Sequence, residues 1–254
     1  MSRLNFYTQN PVDFDQLSKI KTPEPTESHF PIPHHVLVEA TRAAFEKKGL
    51  EIVQELHGTS HQDSRYFGMF QVSDGKDDDG GSSLVIGTRN SHDRSISASY
   101  AFGNGVFVCD NMSFSGEITI ARRHTRHIEA DLPRLVTRAV ASLGEQRRLQ
   151  DRRFAVYQNS ELTNSEVNDT LIDALDSKVI GPTKIPRVLE QWRTPAHPEF
   201  KERTAWSLFN GFTEVMKGVR PEAVVQKTQL LHGVMDARCG LTTWRVPVIP
   251  TVAV

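Results

Sequence analysis

Cysteine is scarce in this 254-residue chain, and the two cysteines, Cys109 and Cys239, lie far apart in sequence. Such a pair forms neither a disulfide framework nor a metal motif, and free thiols are typical of a reducing cytosol. Long apolar runs are also missing, because no uninterrupted stretch approaches the length of a membrane span and the N-terminus lacks a signal-peptide h-region. We therefore expect a cytoplasmic protein that does not bind membranes.

An excess of one charge is lacking as well. The 30 Lys and Arg residues nearly balance the 31 Asp and Glu residues, which leaves a formal net charge of −1. No global positive field therefore attracts nucleic acid, and any electrostatic binding site has to arise from local clustering. The remaining composition, 38% hydrophobic and 24% charged, is typical of a soluble globular protein.

Familiar catalytic signatures are absent from the sequence, including phosphate loops, dinucleotide loops, nucleophile elbows and C-x-x-C pairs. His57 and His61 are four residues apart, but their segment reads as a strand end and a turn, which is poor geometry for a shared metal. His124 and His127 lie beside three arginines, and cationic surroundings disfavour a dication. The sequence predicts no metal and no cofactor, and a non-enzymatic role is favoured over a catalytic one.

The spacing of apolar residues predicts a helix followed by several strands. Residues 34–49 predict the helix, with Gly49 placed to end it. Its apolar positions at helical spacing are Val36, Ala40, Ala43 and Ala44. Six short segments between residues 50 and 121 alternate apolar and polar residues, as strands do. Asn104-Gly105 between two apolar runs predicts a tight hairpin turn.

Helical periodicity returns after His127 with one long apolar stripe. The stripe is formed by Leu132, Leu135, Val136, Ala139, Val140 and Leu143. Further helices are predicted at 165–179, 184–192, 201–218 and 221–238. The order of elements predicts an α+β fold, in which an antiparallel β-meander from the first half packs with helices from the second half. We expect an irregular N-terminal arm over residues 1–30 and a single domain over 31–254, with the sheet mainly in 50–122 and the helices mainly in 128–240.

Basic residues are concentrated between Arg122 and Arg153, where nine arginines face four acidic residues and the net charge is +5. On a continuous helix, four of these arginines share a stripe opposite the leucines, and guanidinium forks suit phosphate oxygens. The candidate contacts to nucleic acid are Arg122, Arg123, Arg126, Arg134, Arg138, Arg148 and Arg152. The alternative is a solvated helix face with pairs such as Glu145–Arg148. Aromatic residues are not interleaved with the arginines, so a base-stacking platform is not evident.

A dense polar segment, GTRNSHDRSIS at residues 87–97, lies between two of the predicted strands. Asn, Ser and Asp side chains at such a corner hydrogen-bond the backbone and tolerate turn geometry. His92 beside Asp93 suggests a general base and its orienting group, but adjacent residues in an extended chain point to opposite faces. The residues themselves favour a structural corner over a reactive site.

Four segments occur in order along the chain: LVIGTRNSHDRSIS, VFVCDNM, IARRHT and TAWSLFNGFTEVMKG. Together they resemble the signature of a phage/plasmid-like family of unknown function, domain of unknown function 932, over roughly residues 34–220. Arg94 stands where that family usually has glycine, which makes a tight left-handed corner less expected. The resemblance marks Asn90, Ser91, His92, Asp93, Ser95, Cys109, Asn111, Arg123, His124, Thr125, Trp206, Asn210, Thr213 and Glu214.

The resemblance implies a context of bacteriophages and plasmids and a host cytoplasm. It also implies that the polar motifs meet, either in one pocket between sheet and helices or in a buried network that specifies the fold. The residues of this polar set are Asn90, Ser91, His92, Asp93, Ser95, Asn111, His124, Thr125, Asn210 and Glu214.

Three functions remain open at this point. The first is a nucleic-acid-binding accessory protein for replication or recombination, with single-stranded DNA as one candidate ligand. The second is an inhibitor that binds a protein of a host defence system, which suits the near-neutral charge and the lack of catalytic signatures. The third is a nuclease or nucleotide-processing enzyme that uses His92 or His124. We also expect a homo-oligomer.

Overall fold

The computed structural model describes residues 10–73, 82–106, 112–217, 219 and 221–241. The strands are β1 (Asn10–Val12), β2 (Glu51–Ser60), β3 (Arg65–Ser73), β4 (Ser82–Ser91), β5 (Ala98–Val106) and β6 (Met112–Arg122). The α-helices are α1 (Phe14–Ser18), α2 (His34–Lys47), α3 (Ile128–Asn159), α4 (Asn164–Asp176), α5 (Ile185–Arg193), α6 (Ala205–Met216) and α7 (Pro221–Arg238).

The strands form one antiparallel sheet in which spatial order follows chain order from β1 to β6. This is the predicted meander, and with helices in the second half it confirms the α+β fold. In the register of the sheet, Tyr66 of β3 lies opposite Asn90 of β4, and Gly68 lies opposite Thr88. The polar ends of β3 and β4 are therefore side by side.

Helices α2 and α3 contribute the residues that complete the core of the sheet. The buried face of α2 is formed by His34, Leu37, Val38, Thr41 and Phe45. The helical spacing of the sequence predicted an apolar face of smaller residues, but Ala43 is exposed, and Val36, Ala40 and Ala44 are only partly buried. Larger side chains remove more apolar surface from water, so the face that carries Leu37 and Phe45 turns inward.

Helix α3 runs for 32 residues and joins two hydrophobic cores. Its first half buries the predicted apolar stripe, from Leu132 to Leu143, against the sheet core. Its second half contributes Phe154 and Tyr157 to a separate cluster with α4 to α7. The predicted stripe is confirmed, and α7 begins at Pro221 as expected, since proline suits the first turn of a helix.

Two local predictions are wrong. Residues 10–30 are not an irregular arm throughout, because β1 pairs with β2 and α1 begins with a capping box between Asp13 and Gln16. Leu17 of α1 is fully buried in the sheet core. Asn104-Gly105 does not form a turn but continues β5, paired with β4. The connection between β5 and β6 lies outside the described residues.

Candidate functional site

Asn90, at the end of β4, is the centre of a buried polar network. Its Nδ2 donates to the carbonyl of Ile32 at 2.9 Å and to Nδ1 of His34 at 2.9 Å. Its Oδ1 accepts from Nε2 of His124 at 2.6 Å. The orientation of the amide follows from the chemistry of its partners, because a backbone carbonyl can only accept. One side chain, 0% exposed, thus joins the end of β4 to two distant segments of the chain.

The hydrogen bonds also assign the neutral state of His34 and show that Nε2 of His92, whose ring stacks on His34, carries a proton. Nε2 of His34 donates to the carbonyl of Asp63 at 3.0 Å, while its Nδ1 accepts from Asn90, so the ring is neutral. Nε2 of His92 donates to the carbonyl of Ile32 at 3.0 Å. The two rings stack with centroids 3.9 Å apart and an interplanar angle of 5°. Burial lowers the pKa of His92, and it lowers the pKa of His34 to about 3.

Two further histidines complete the network, which we call the histidine cluster: His29, His34, His92 and His124 around Asn90. The rings of His29 and His124 have centroids 5.1 Å apart. Burial lowers the pKa of His29, and it lowers the pKa of His124 to about 4. Among the described residues, no three His, Cys, Asp or Glu side chains are grouped so as to hold a metal ion. The arrangement fits neutral rings, of which His34 and His92 bond backbone carbonyls and His124 bonds the side-chain amide of Asn90.

The local sequence explains why Ile32 can accept two hydrogen bonds. It lies between Pro31 and Pro33, and a residue that precedes proline is held in extended backbone. Its carbonyl therefore lies outside any helix or strand ladder and is available to Asn90 and His92.

The loop that supplies the carbonyl of Asp63 has unusual backbone. His61, Gln62 and Asp63 have φ values of 54°, 56° and 61°, in the left-handed region that costs about 1–2 kcal/mol for each residue other than glycine. Asn10 donates from Nδ2 to Oδ1 of Asp63 at 3.1 Å, and the hydroxyl of Thr59 bonds the same oxygen. The edge strand β1 thus helps to hold this conformation.

A series of side-chain contacts connects the histidine cluster to Arg42 of α2. The ring of His34 stacks on Tyr66 with centroids 5.5 Å apart. The hydroxyl of Tyr66 lies 3.0 Å from Nδ1 of His57, whose Nε2 lies 3.0 Å from Oε1 of Glu55. Glu55 in turn pairs with Arg42 of α2. These bonds, with burial opposing them, bring the pKa of Glu55 to about 2.

The corner after β4 is held by its own side chains. Asp93 accepts from Nε of Arg65 at 2.6 Å and from the backbone N–H of Ser95 at 3.0 Å. Arg94 adopts φ 66°, so the left-handed corner is present although arginine replaces glycine there. Its Nη2 donates to Oγ1 of Thr26 at 2.8 Å. The expectation that arginine would disfavour this corner is therefore wrong.

The structure brings together part of the predicted polar set. Asn90, Ser91, His92 and His124 are buried at one place, with Ser91 bonded to the carbonyl of Ile96. Asp93 and Ser95 lie exposed beside them, and Thr125 follows His124 directly. The side chains of His92 and Asp93 do not bond each other, as expected. His92 donates to the carbonyl of Ile32, whereas Asp93 accepts from Arg65.

Two members of the set belong elsewhere, and one cannot be placed. Asn210 of α6 donates to the carbonyl of Trp206 at 2.8 Å, and Glu214 pairs with Lys217. Neither is hydrogen-bonded to the histidine cluster within the described residues. Asn111 and Cys109 lie outside the described residues.

Sequence reasoning missed His29, Ile32, His34 and Tyr66. A signal for three of them was present in HFPIPHH at residues 29–35, where histidines flank two prolines. Proline-bracketed backbone leaves unpaired carbonyls, which neighbouring imidazole N–H groups can bond. The partners that Ile32 and His34 have in β4 and the corner after it, Asn90 and His92, lie 56 to 60 residues away, so periodicity could not identify them.

The helical half has its own buried polar cluster, which the sequence analysis also missed. Arg153 of α3 donates from Nη2 to Oδ2 of Asp236 in α7 at 2.9 Å. The hydroxyl of Tyr157 donates to Oδ1 of the same carboxylate at 2.6 Å, and it lies 3.3 Å from Nδ1 of His232. Burial raises the pKa of Tyr157, so its phenol stays protonated. These contacts join α3 to α7.

The predicted arginine stripe lies on the outside of α3. Arg134, Arg138, Arg148 and Arg152 are all exposed, and we call them the arginine face. At about 100° per residue they fall within an arc of about 80°. Within the described part of the chain, the guanidinium groups of Arg134, Arg138 and Arg148 form no ion pair. The ion pair between Glu145 and Arg148, which the alternative of a solvated helix face predicted, is therefore not formed.

Other arginines of the same segment have different roles. Arg122 was a predicted nucleic-acid contact, but it is partly buried and donates from Nη2 to Asp131 at 2.6 Å. Arg153 is buried in its pair with Asp236. Arg123 and Arg126 are exposed just before α3 begins. The positive charge available at the surface is therefore smaller than the sequence count suggests, and it is concentrated on the arginine face.

Comparison with known proteins supplies the family. The model of the family described as Domain of unknown function (DUF932) matches residues 26–236. The chain belongs to the DUF932 family. The DUF932 match begins just before His29 and ends at Asp236, so it spans both buried polar clusters and the arginine face. No curated protein and no solved structure matches the chain significantly.

No helix in the described ranges is long and apolar enough to cross a bilayer. This agrees with the absence of long apolar runs in the sequence.

Proposed function

We propose that this protein binds nucleic acid through the arginine face of α3. The observation that carries the proposal is the exposure of four arginines on one side of a continuous helix. Arginine presents a planar fork that bonds phosphate oxygens in pairs, and each phosphate contact releases condensed counterions. Arg123 and Arg126, which precede α3 in the chain, are exposed as well.

The buried histidines give less support to a catalytic role. His92 is 8% exposed and His124 is 5% exposed, and each donates one ring N–H to a fixed oxygen. A nuclease histidine has to reach a bound phosphate or water. In this proposal the histidine cluster positions the start of α3, because Asn90 binds His124 and the backbone of His124 accepts from the N–H of Phe30.

The proposal also includes a biological setting. We propose that the protein serves a bacteriophage or plasmid as an accessory factor in replication or recombination, acts in the host cytoplasm and forms a homo-oligomer. The resemblance of its motifs to a phage/plasmid-like family supports this setting.

Fluorescence anisotropy tests the proposal directly. Labelled DNA is titrated with the wild-type protein and with a variant that changes all four residues of the arginine face to alanine. A matched control removes four exposed cations elsewhere: Lys184, Arg187, Arg193 and Lys201. We expect binding at about 50 mM salt that the control retains and that is weakened at least about ten-fold in the arginine-face variant. No binding by the wild-type protein would overturn the proposal and would direct the search to a protein partner.

A further inference from the structure

The arginine face is divided into two pairs. Arg134 and Arg138 are one turn apart, and so are Arg148 and Arg152, whereas Arg138 and Arg148 are ten positions apart. With a rise of about 1.5 Å per residue, the centres of the two pairs lie about 21 Å apart along the helix.

The interval between the pairs carries no cation on this side of the helix. Ala141 and Glu145 occupy it, and both are exposed. A helix wheel of about 100° per residue places both within the arc of the four arginines. The surface is therefore positive at both ends, with a small side chain and a carboxylate between them.

We infer that the ligand is a nucleic-acid duplex, with each arginine pair on the phosphates of a different strand. This inference rests on the proposed function. The major groove of B-form DNA is about 12 Å wide. The inner members of the two pairs, Arg138 and Arg148, lie about 15 Å apart along the helix. Each pair can therefore reach a different phosphate backbone when α3 crosses the groove obliquely. Glu145 then faces the groove, where no phosphate lies.

A single strand fits this surface less well. Its phosphates form one unbroken row, which favours an unbroken row of cations along the protein, and Glu145 would lie against that row. Proteins that bind single strands without sequence preference also stack bases on exposed aromatic rings. In the described part of the chain, the exposed large hydrophobic residues are Val53 and Ile172, and neither is aromatic.

Competition between a duplex of about 20 base pairs and each of its separate strands tests the inference in low salt. We expect the duplex to bind at least about ten-fold more tightly than either strand. Two double variants each remove one pair: Arg134→Ala with Arg138→Ala, and Arg148→Ala with Arg152→Ala. Each should make the slope of log K against log salt shallower by about two, because each removes two phosphate contacts.

A charge reversal provides the matched variant. Glu145→Lys makes the row of cations continuous, so it should strengthen single-strand binding more than duplex binding, whereas Glu161→Lys, on an exposed residue beyond α3, should change neither preference. Equal or tighter binding of single strands by the wild-type protein would overturn the inference and leave the proposed function intact. Absence of binding to both ligands would overturn the proposed function itself.

Discussion

Nε2 of His124 donates to Oδ1 of Asn90 at 2.6 Å, which joins the segment before α3 to the end of β4. The two residues are 34 positions apart, and both are at most 5% exposed. Through this bond and the two that Asn90 donates, the meander, the N-terminal segment and the helix that carries the arginine face form one connected structure.

The first prediction concerns Asn90. Asn90→Ala removes three hydrogen bonds and leaves Nδ1 of His34 and Nε2 of His124 without a partner in the interior, whereas the carbonyl of Ile32 keeps its bond from His92. Each buried polar group without a partner costs about 1–3 kcal/mol, so the free energy of unfolding should fall by about 3 kcal/mol or more. Urea denaturation measures it. The control is Asn159→Ala at the exposed end of α3, where the change should stay below about 1 kcal/mol. A similar loss in both variants would contradict the central role of Asn90.

The second prediction concerns acid pH. The folded-state pKa values of His34 and His124, about 3 and 4, lie below the ordinary value of 6.5, so the unfolded chain binds protons first as pH falls. Stability should therefore be complete above about pH 6.5 and decline below it, by up to about 1.4 kcal/mol per pH unit for each histidine. The lowered pKa values of Glu55 and Asp93, about 2, add a loss only below about pH 4.5.

Urea denaturation between pH 7 and 5 isolates the histidine contribution. His124→Gln keeps a donor toward Asn90 but removes one titrating ring. The slope of the unfolding free energy against pH should therefore become smaller by the contribution of about one proton, which is about 1.4 kcal/mol per pH unit. The exposed neighbour His127→Gln should leave the decline unchanged. An identical pH dependence in wild type and His124→Gln would show that His124 is not held neutral.

The third prediction concerns Gly68, which makes room for the ring of Tyr66. A Cβ at Gly68 would overlap the Tyr66 hydroxyl and would lie 2.8 Å from Oγ1 of Thr88. Gly68→Ala should therefore destabilise the fold by about 3 kcal/mol, at the upper end of typical overpacking costs. Adding Tyr66→Phe should restore part of the loss. Gly144→Ala, in open space on α3, should instead stabilise by about 0.5–1 kcal/mol. Thermal unfolding compares the three variants.

The fourth prediction concerns the left-handed corner at Arg94. Arg94→Gly relieves a φ of 66° and should leave stability unchanged or raise it by up to about 1 kcal/mol, although the bond to Thr26 is lost. Arg94→Ala loses the same bond and keeps the backbone strain, so it should be less stable than Arg94→Gly. The reverse order in chemical denaturation would show that the side-chain bond outweighs the backbone conformation.

Local signals were sufficient to predict much of the fold. The spacing from Leu132 to Leu143 predicted the buried face of α3, and the same spacing placed the arginines outside. The prediction failed where the local turn preference competed with strand pairing. Asn104-Gly105 is typical of a turn, but both residues lie in β5 and pair with β4, because tertiary pairing outweighs the local preference.

The buried networks could not be predicted because their partners are distant in sequence. Asn90 was identified as part of a polar corner, yet its partners His34 and Ile32 lie 56 and 58 residues before it. The ion pair of Arg153 with Asp236 spans 83 residues, so the net charge of the basic segment included Arg153 although this charge is buried and paired. Such pairings depend on the register of the sheet and the packing of α3 on α7, which no local period encodes.

The most direct test of the central claim is the salt dependence of duplex binding by the wild-type protein and by the four-residue arginine-face variant. Four phosphate contacts correspond to a slope of about −3.6 in log K against log salt for B-form DNA. We predict that the wild-type slope is at least this steep and that the variant is shallower by about that amount. Equal slopes in the two proteins, or wild-type binding that does not change with salt, would contradict the assignment of the arginine face as the phosphate-contacting surface.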